Sequence, residues 1–232
     1  MKFYYENGVK YRDVIISDEQ RREIDKFAAD MSTGGLGQHR DHRSGGRLVR
    51  DANEIHDDVV TGKIGEFAVY NFLIDAGVEV LSEPNLDVYG LTIWDVGTDL
   101  SIRTPEGKIW QVDVKSTQYY SKNLMLESDN WRIDSSNNLI RYGTETADIP
   151  DYWIGVNVDP EINKARIYGY LSKGKLKREV REVHGEHFWA KDSPIPGTSG
   201  NVLLDANNYI WSYKGGDDFK KIDTFIWMYN QH

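Results

Sequence analysis

Residues 97–117 read GTDLSIRTPEGKIWQVDVKST and hold two aspartates and a lysine whose spacing can bring them together. If 110–117 is a strand, its side chains alternate between two faces: Trp110, Val112 and Val114 on one, Gln111, Asp113 and Lys115 on the other. The preceding Thr104-Pro105-Glu106-Gly107-Lys108 offers Pro for the fixed φ of a type I turn and Gly for the left-handed residue after it. This predicts a three-residue hairpin loop. Thr104 then pairs with Lys108, Arg103 with Ile109, Ser101 with Gln111, and Asp99 with Asp113. A two-residue loop would instead oppose Asp99 to Val114 and mix the charged face with the apolar one. Opposed strand residues have Cβ atoms about 5 Å apart, and like charges there are destabilising unless something positive sits between them. A divalent cation held by Asp99 and Asp113 meets that need.

The elements that must position these residues can be read along the chain. FYYENGVKYRDVII is a hairpin around Asn7-Gly8, and Ser17 with Gln20 forms a capping box that opens a helix to about Met31. Residues 32–50 are rich in Gly and Arg without periodicity, which predicts a mobile loop. From Asp57 a helix runs to Gly77, apolar almost all round and therefore largely buried. Glu66 shares a face of it with Val69, Tyr70 and Leu73, where an unpaired charge is expensive, so Glu66 needs a partner. VEVL, LDVYG, the 98–116 hairpin, YWIGVNVD (152–159) and ARIYGYL (165–171) are strand material, with a polar mixed segment between the hairpin and 152. The order predicts an α/β or α+β fold, a mixed sheet with helices, its core spanning 57–171. Residues 1–56 and 172–232 are additions packed on it, the latter aromatic and strand-like.

Composition bounds the function. The chain has 232 residues, 39% of them hydrophobic and 12% aromatic, enough for one sizeable globular unit. It has no cysteine, which excludes disulfides, thiol nucleophiles and cysteine-ligated zinc. No apolar run approaches a membrane span and the first residues lack a signal-peptide core, so a cytoplasmic protein is expected. A net charge of −9 argues against indiscriminate coating of nucleic acid. Basic segments stand out on this acidic body: Arg40, Arg43, Arg47 and Arg50 in one, Lys173 and Lys175 with Lys177, Arg178 and Arg181 in another. Each is either a phosphate-binding surface or a solvated loop.

A helix bearing Gly-Glu, an acid opening one strand, and acid-x-Lys on the next strand after a hairpin together resemble the PD-(D/E)xK nuclease superfamily, which includes many type II restriction endonucleases. The matching stretches are GKIGEFAVYNFL, TDLSI and VDVKS, covering about half the chain. Thr98 stands where the motif has proline. The resemblance implies a restriction-endonuclease-like fold and Mg²⁺-dependent hydrolysis of DNA phosphodiesters, with Mn²⁺ able to substitute. Asp99 and Asp113 would be the main ligands, with the Val114 carbonyl contributing and Glu66 completing the site directly or through water. Lys115 would orient the attacking water or stabilise charge on the phosphate. Gln111 would assist or serve as polar filler. The leading expectation is a restriction enzyme acting as a homodimer on double-stranded DNA. A structure-directed nuclease of repair, recombination or phage origin stands beside it, as does a non-catalytic DNA-binding protein that kept the fold.

Other constellations are weaker. HRDH (39–42) and HGEH (184–187) each space two histidines three apart without a third ligand, and the glycines at 34, 35 and 37 lack the Lys-Ser/Thr of a phosphate loop. Trp211, Tyr213, Phe225, Trp227 and Tyr229 alternate like strand core or an interface, with base stacking the less favoured reading.

Overall fold

The computed structural model describes residues 4–6, 9–32, 49–88, 98–119, 121, 123–142, 149–182, 185–197, 202–213 and 219–232. Strands β1 (Tyr4–Glu6) and β2 (Val9–Ile15) pair antiparallel with Glu6 opposite Val9. At the start of helix α1 (Asp18–Ser32) the Gln20 N–H donates to Ser17 Oγ at 3.1 Å and the Ser17 N–H to Gln20 Oε1 at 3.0 Å. The expected capping box is formed.

Helix α2 (Ala52–Asp75) begins earlier than its apolar pattern suggests. Its first turn is polar, but Asp51 caps it, accepting from the Asn53 and Glu54 N–H groups at 2.9 Å while Glu54 Oε2 accepts from the Asp51 N–H at 3.0 Å. It ends where expected: the Gly77 and Val78 N–H groups turn back to the Ile74 and Leu73 carbonyls, both at 2.9 Å. Ile64, Phe67, Ala68, Val69, Phe72 and Leu73 are all buried. Each large side chain among them contributes roughly 1.5–3 kcal/mol.

The remaining elements are β3 (Glu79–Val80), β4 (Leu100–Arg103), β5 (Ile109–Gln118), β6 (Asn123–Glu127), β7 (Trp131–Ile133), β8 (Leu139–Arg141), β9 (Tyr152–Asp159), β10 (Lys164–Ser172), α3 (Lys173–Arg181), β11 (Phe188–Trp189), β12 (Asn208–Ser212), β13 (Lys220–Lys221) and α4 (Ile222–Tyr229). The fold is mixed α+β around one mixed sheet, ordered β1-β2-β10-β9-β5-β4-β3 with β13 added on β10. Only the β5–β9 pair is parallel among its described pairings. Parallel neighbours need a long crossover. Here it carries β6 and the β7–β8 hairpin, three strands in the segment read from sequence as polar and mixed.

Each face of the sheet has its own core. Ile154, Val156 and Val158 of β9 and Trp110, Val112 and Val114 of β5 join α1, α2 and α4 in the first. Trp153 and Leu171 face the other way and join Leu124, Leu126, Leu139, Leu176 and Trp211 in the second. Two segments differ from their sequence reading. IDTFIWMY is helical: Ile222, Phe225 and Tyr229 are buried at i, i+3 and i+7, while Trp227, 65% exposed, breaks the apparent alternation. KGKLKREVR is helix α3, with Leu176 turned into the second core. Residues 86–88 of LDVYG form no strand, and its last two residues lie outside the described residues. Among the described residues no helix is long and apolar enough to cross a membrane.

Helix α2 approaches β5 closely at Gly65. A Cβ there would lie 1.9 Å from Ser116 Oγ and 3.1 Å from Ser116 Cβ. Gly65→Ala is therefore expected to destabilise despite the helix propensity it gains, and to do so less when Ser116 is also alanine. Denaturant unfolding of the double-mutant cycle should give a coupling of about 0.5–3 kcal/mol. Additive effects would mean that the helix simply shifts.

Candidate active site

The hairpin has the register its turn chemistry dictates. Leu100 pairs with Val112, Ser101 with Gln111, Ile102 with Trp110 and Arg103 with Ile109. The loop is closed by the Thr104 N–H to the Lys108 carbonyl and the Gly107 N–H to the Thr104 carbonyl, both 2.8 Å, with Gly107 at φ +85°. Asp99 stands one residue before β4, next to Asp113. The Val114 N–H donates to Asp99 Oδ2 at 2.5 Å and fixes one of its oxygens.

The two carboxyl groups share a hydrogen bond, and their protonation states diverge. Burial, the charges of Glu66 and Asp113, and that hydrogen bond push Asp99 well above the usual carboxylate range, against the opposing pull of Lys115. Burial would raise Asp113 too. Lys115, the Asp99 hydrogen bond and Arg141 outweigh it and hold Asp113 below its ordinary value. Lys115 Nζ lies 2.7 Å from Asp113 Oδ2. Burial disfavours its charge, but Asp113 and Asp99 more than compensate and keep the ammonium protonated. Without a cation, the arrangement is one acid, one carboxylate and one ammonium on a single strand face.

Glu66 is buried and acts on this group from α2. The partner it needed is Lys63, whose Nζ donates to Glu66 Oε2 at 2.7 Å. Among the described residues no three His, Cys, Asp or Glu side chains are grouped closely enough to hold a metal, while the charges of Glu66 and Asp113 both act on Asp99. Gln111 is held by hydrogen bonds within and beside the hairpin. Its Oε1 accepts from Thr98 Oγ1 at 2.5 Å and Ser101 Oγ at 2.7 Å, and its backbone N–H donates to Asp151 Oδ2 at 3.0 Å. Gln111 thereby pins Thr98, the residue preceding Asp99.

The expected phosphate-binding residues separate. Arg40, Arg43 and Arg47, with the rest of the glycine- and arginine-rich stretch and HRDH, lie outside the described residues. Arg50 does not face solvent: it is buried, its Nη1 2.7 Å from Asp58 Oδ2, where it fastens the chain entering α2 to that helix. Lys173 and Lys175 are half-buried in the first turn of α3. In HGEH, His184 lies outside the described residues, while the His187 N–H donates to buried Glu179 and its ring packs on Trp211. That pairing makes His187 part of the second core's edge. Sequence reasoning missed Arg141, whose charge reaches both Asp113 and Lys115. No local motif marks it, because tertiary packing alone brings it there.

No family model, no curated protein and no solved structure matches the chain.

The raised Asp99 fixes the sign of a pH effect. A group whose folded-state pKa exceeds its unfolded value stabilises fully below the unfolded value, and that contribution is lost as pH rises through the folded one. Asp99→Asn keeps an acceptor for the Val114 N–H and a donor for Asp113 but cannot ionise. In chelator, the thermal midpoint of Asp99→Asn should match wild type near pH 4 and exceed it increasingly toward neutral and alkaline pH. A constant difference across that window would contradict the protonated Asp99.

Proposed function

We propose that the chain is a Mg²⁺-dependent endonuclease that hydrolyses DNA phosphodiester bonds, in the manner of a type II restriction enzyme cutting double-stranded DNA as a homodimer. The observation that carries this reading is the Asp99–Asp113 pair, hydrogen-bonded to each other with Lys115 at 2.7 Å on the same face. The donor set fits Mg²⁺, which prefers oxygen ligands and is commonly bound by one or two carboxylates plus water and substrate phosphates rather than by an all-protein cage. Asp113, already ionised, and Asp99, on loss of its proton, would hold the ion. Bound Mg²⁺ supplies Lewis-acid charge at a phosphoryl oxygen and makes water a better nucleophile.

The protein's own groups do the rest. Lys115 is held charged by the two acids, so its ammonium is ready to pair with the developing phosphate charge or to orient water. Glu66, paired with Lys63, adds negative field at Asp99 and would complete the site directly or through water. Gln111, through Thr98, keeps Asp99 in register. A twofold dimer would place two such sites on the two strands of a palindromic sequence. A structure-directed repair or phage nuclease would use the same site. A non-catalytic DNA-binding protein is disfavoured by the intact acid, acid, lysine set.

The experiment is incubation of the purified protein with supercoiled plasmid and Mg²⁺, followed by mapping of the ends. Cleavage is expected, with recurrent ends for a sequence-specific enzyme. Asp113→Ala should abolish cutting while DNA affinity is retained or increased, because a ligand is lost together with negative charge facing a phosphate. Lys115→Ala should bind Mg²⁺ yet cut roughly 10²–10³-fold more slowly. Cutting by Asp113→Ala at the wild-type rate would overturn the site.

A further inference from the structure

The β7–β8 hairpin lies outside the motif that defines the candidate site, yet it delivers a cation to it. Trp131 pairs with Arg141, and Ile133 with Leu139. Cross-strand partners point to the same side, so these four share one face. That face packs on the second core: Leu139 is buried in it, and Trp131 and Ile133 lie against it. Trp131 meets Trp153 edge-on with ring centroids 5.4 Å apart, and Trp153 is the β9 neighbour of Asp113. A continuous path therefore runs from Asp113 through two tryptophans to Arg141. Its result is that the half-buried Arg141 exerts its charge on both Asp113 and Lys115.

Arg141 is not needed to neutralise Asp113, since Lys115 already contacts that carboxylate. Among the described residues the Arg141 side chain makes no hydrogen bond and no ion pair, so its guanidinium donors are uncommitted. It also stands close enough to Lys115 to disfavour the ammonium. With Asp99 protonated, the two cations face a single carboxylate, Asp113, and a further anion between them offsets the remaining positive charge. A guanidinium offers a planar fork of donors that suits phosphate oxygens in a way an ammonium does not.

We infer that Arg141 is the phosphate clamp of this site, donating to a non-bridging oxygen of the nucleic-acid phosphodiester presented to Asp99, Asp113 and Lys115. That the clamped phosphate is the one hydrolysed rests on the nuclease reading; the binding itself does not. No bond is made or broken by Arg141. It holds the phosphate and offsets charge that grows on its oxygens.

Two arms test this on the full chain, with Arg141→Ala, Arg141→Gln and Arg141→Lys. In EDTA, fluorescence anisotropy of a short random duplex across a NaCl series should show weaker binding by Arg141→Ala and Arg141→Gln. Their log–log salt slope should be smaller by about one contact, with Arg141→Lys restoring the slope. With Mg²⁺ and plasmid, kcat should fall roughly 10²–10³-fold in the neutral variants while KM changes much less, and added guanidinium should restore part of the rate. Near-UV circular dichroism and thermal midpoints establish that each variant is folded, and Arg141→Gln carries the test if Arg141→Ala does not fold. Unchanged affinity and slope in folded neutral variants would overturn the clamp. If wild type leaves the plasmid intact while the neutral variants lose duplex affinity, the nuclease reading fails and the clamp stands. If all variants bind and cut like wild type, the clamp fails and the nuclease reading stands.

Discussion

The site depends on two acids standing side by side because a five-residue turn leaves no other register. Two ionised carboxylates about 5 Å apart repel by roughly 3 kcal/mol at an effective dielectric near 20. The protein answers that repulsion with a shared proton, the Lys115 ammonium, the Val114 N–H and the more distant Arg141. The first three are positioned by the strand that carries Asp113 or by its neighbour β4, and Arg141 by the β7–β8 hairpin that packs on Trp153 of β9. The turn at 104–108 is therefore as much a part of the site as the residues that would touch a substrate.

What the sequence reveals of this arrangement follows from how local the deciding physics is. The hairpin register, the Ser17–Gln20 box and the Gly77 stop were legible because a few adjacent residues determine each through backbone geometry. Strand β9 was legible because both of its faces are buried and its apolar run is dense, and β10 because its buried residues alternate before ending in a buried run. The rest depends on which distant element answers. Arg50 looks like its neighbouring arginines until Asp58 is seen beside it, and Trp227 looks like part of an alternating strand until its neighbours prove buried at helical spacing. Arg141 carries no signal of its own. Its place is set by Trp131 and Trp153, and an edge-on contact between tryptophans from separate strands is invisible to period or propensity.

The two cores share the work of holding the hairpin. On one face, α2 presses against β5 at Gly65 and brings Glu66 with it. On the same side, the Tyr229 hydroxyl of α4 donates to the Arg103 carbonyl at 2.9 Å and accepts from the Glu79 N–H at 3.0 Å, fastening the β3–β4 edge. On the other face, the β7–β8 hairpin and α3 pack over Trp153 and Leu171. Asp113 sits where these layers meet, so its surroundings come from elements before, within and after the motif.

The pairing of β2 with β10 joins Arg12 to Ile167 and Val14 to Ala165. A strand made early in synthesis thus waits for a partner made far later. Closing so long a loop earns no contact until its ends meet, and topologies built on such pairings fold in roughly milliseconds to seconds rather than microseconds. During that interval the nascent chain carries an apolar strand edge without its mate, which is the condition under which chaperones engage and intermolecular strand pairing competes. The N-terminal hairpin can therefore take its place in the sheet only once β10 has been made.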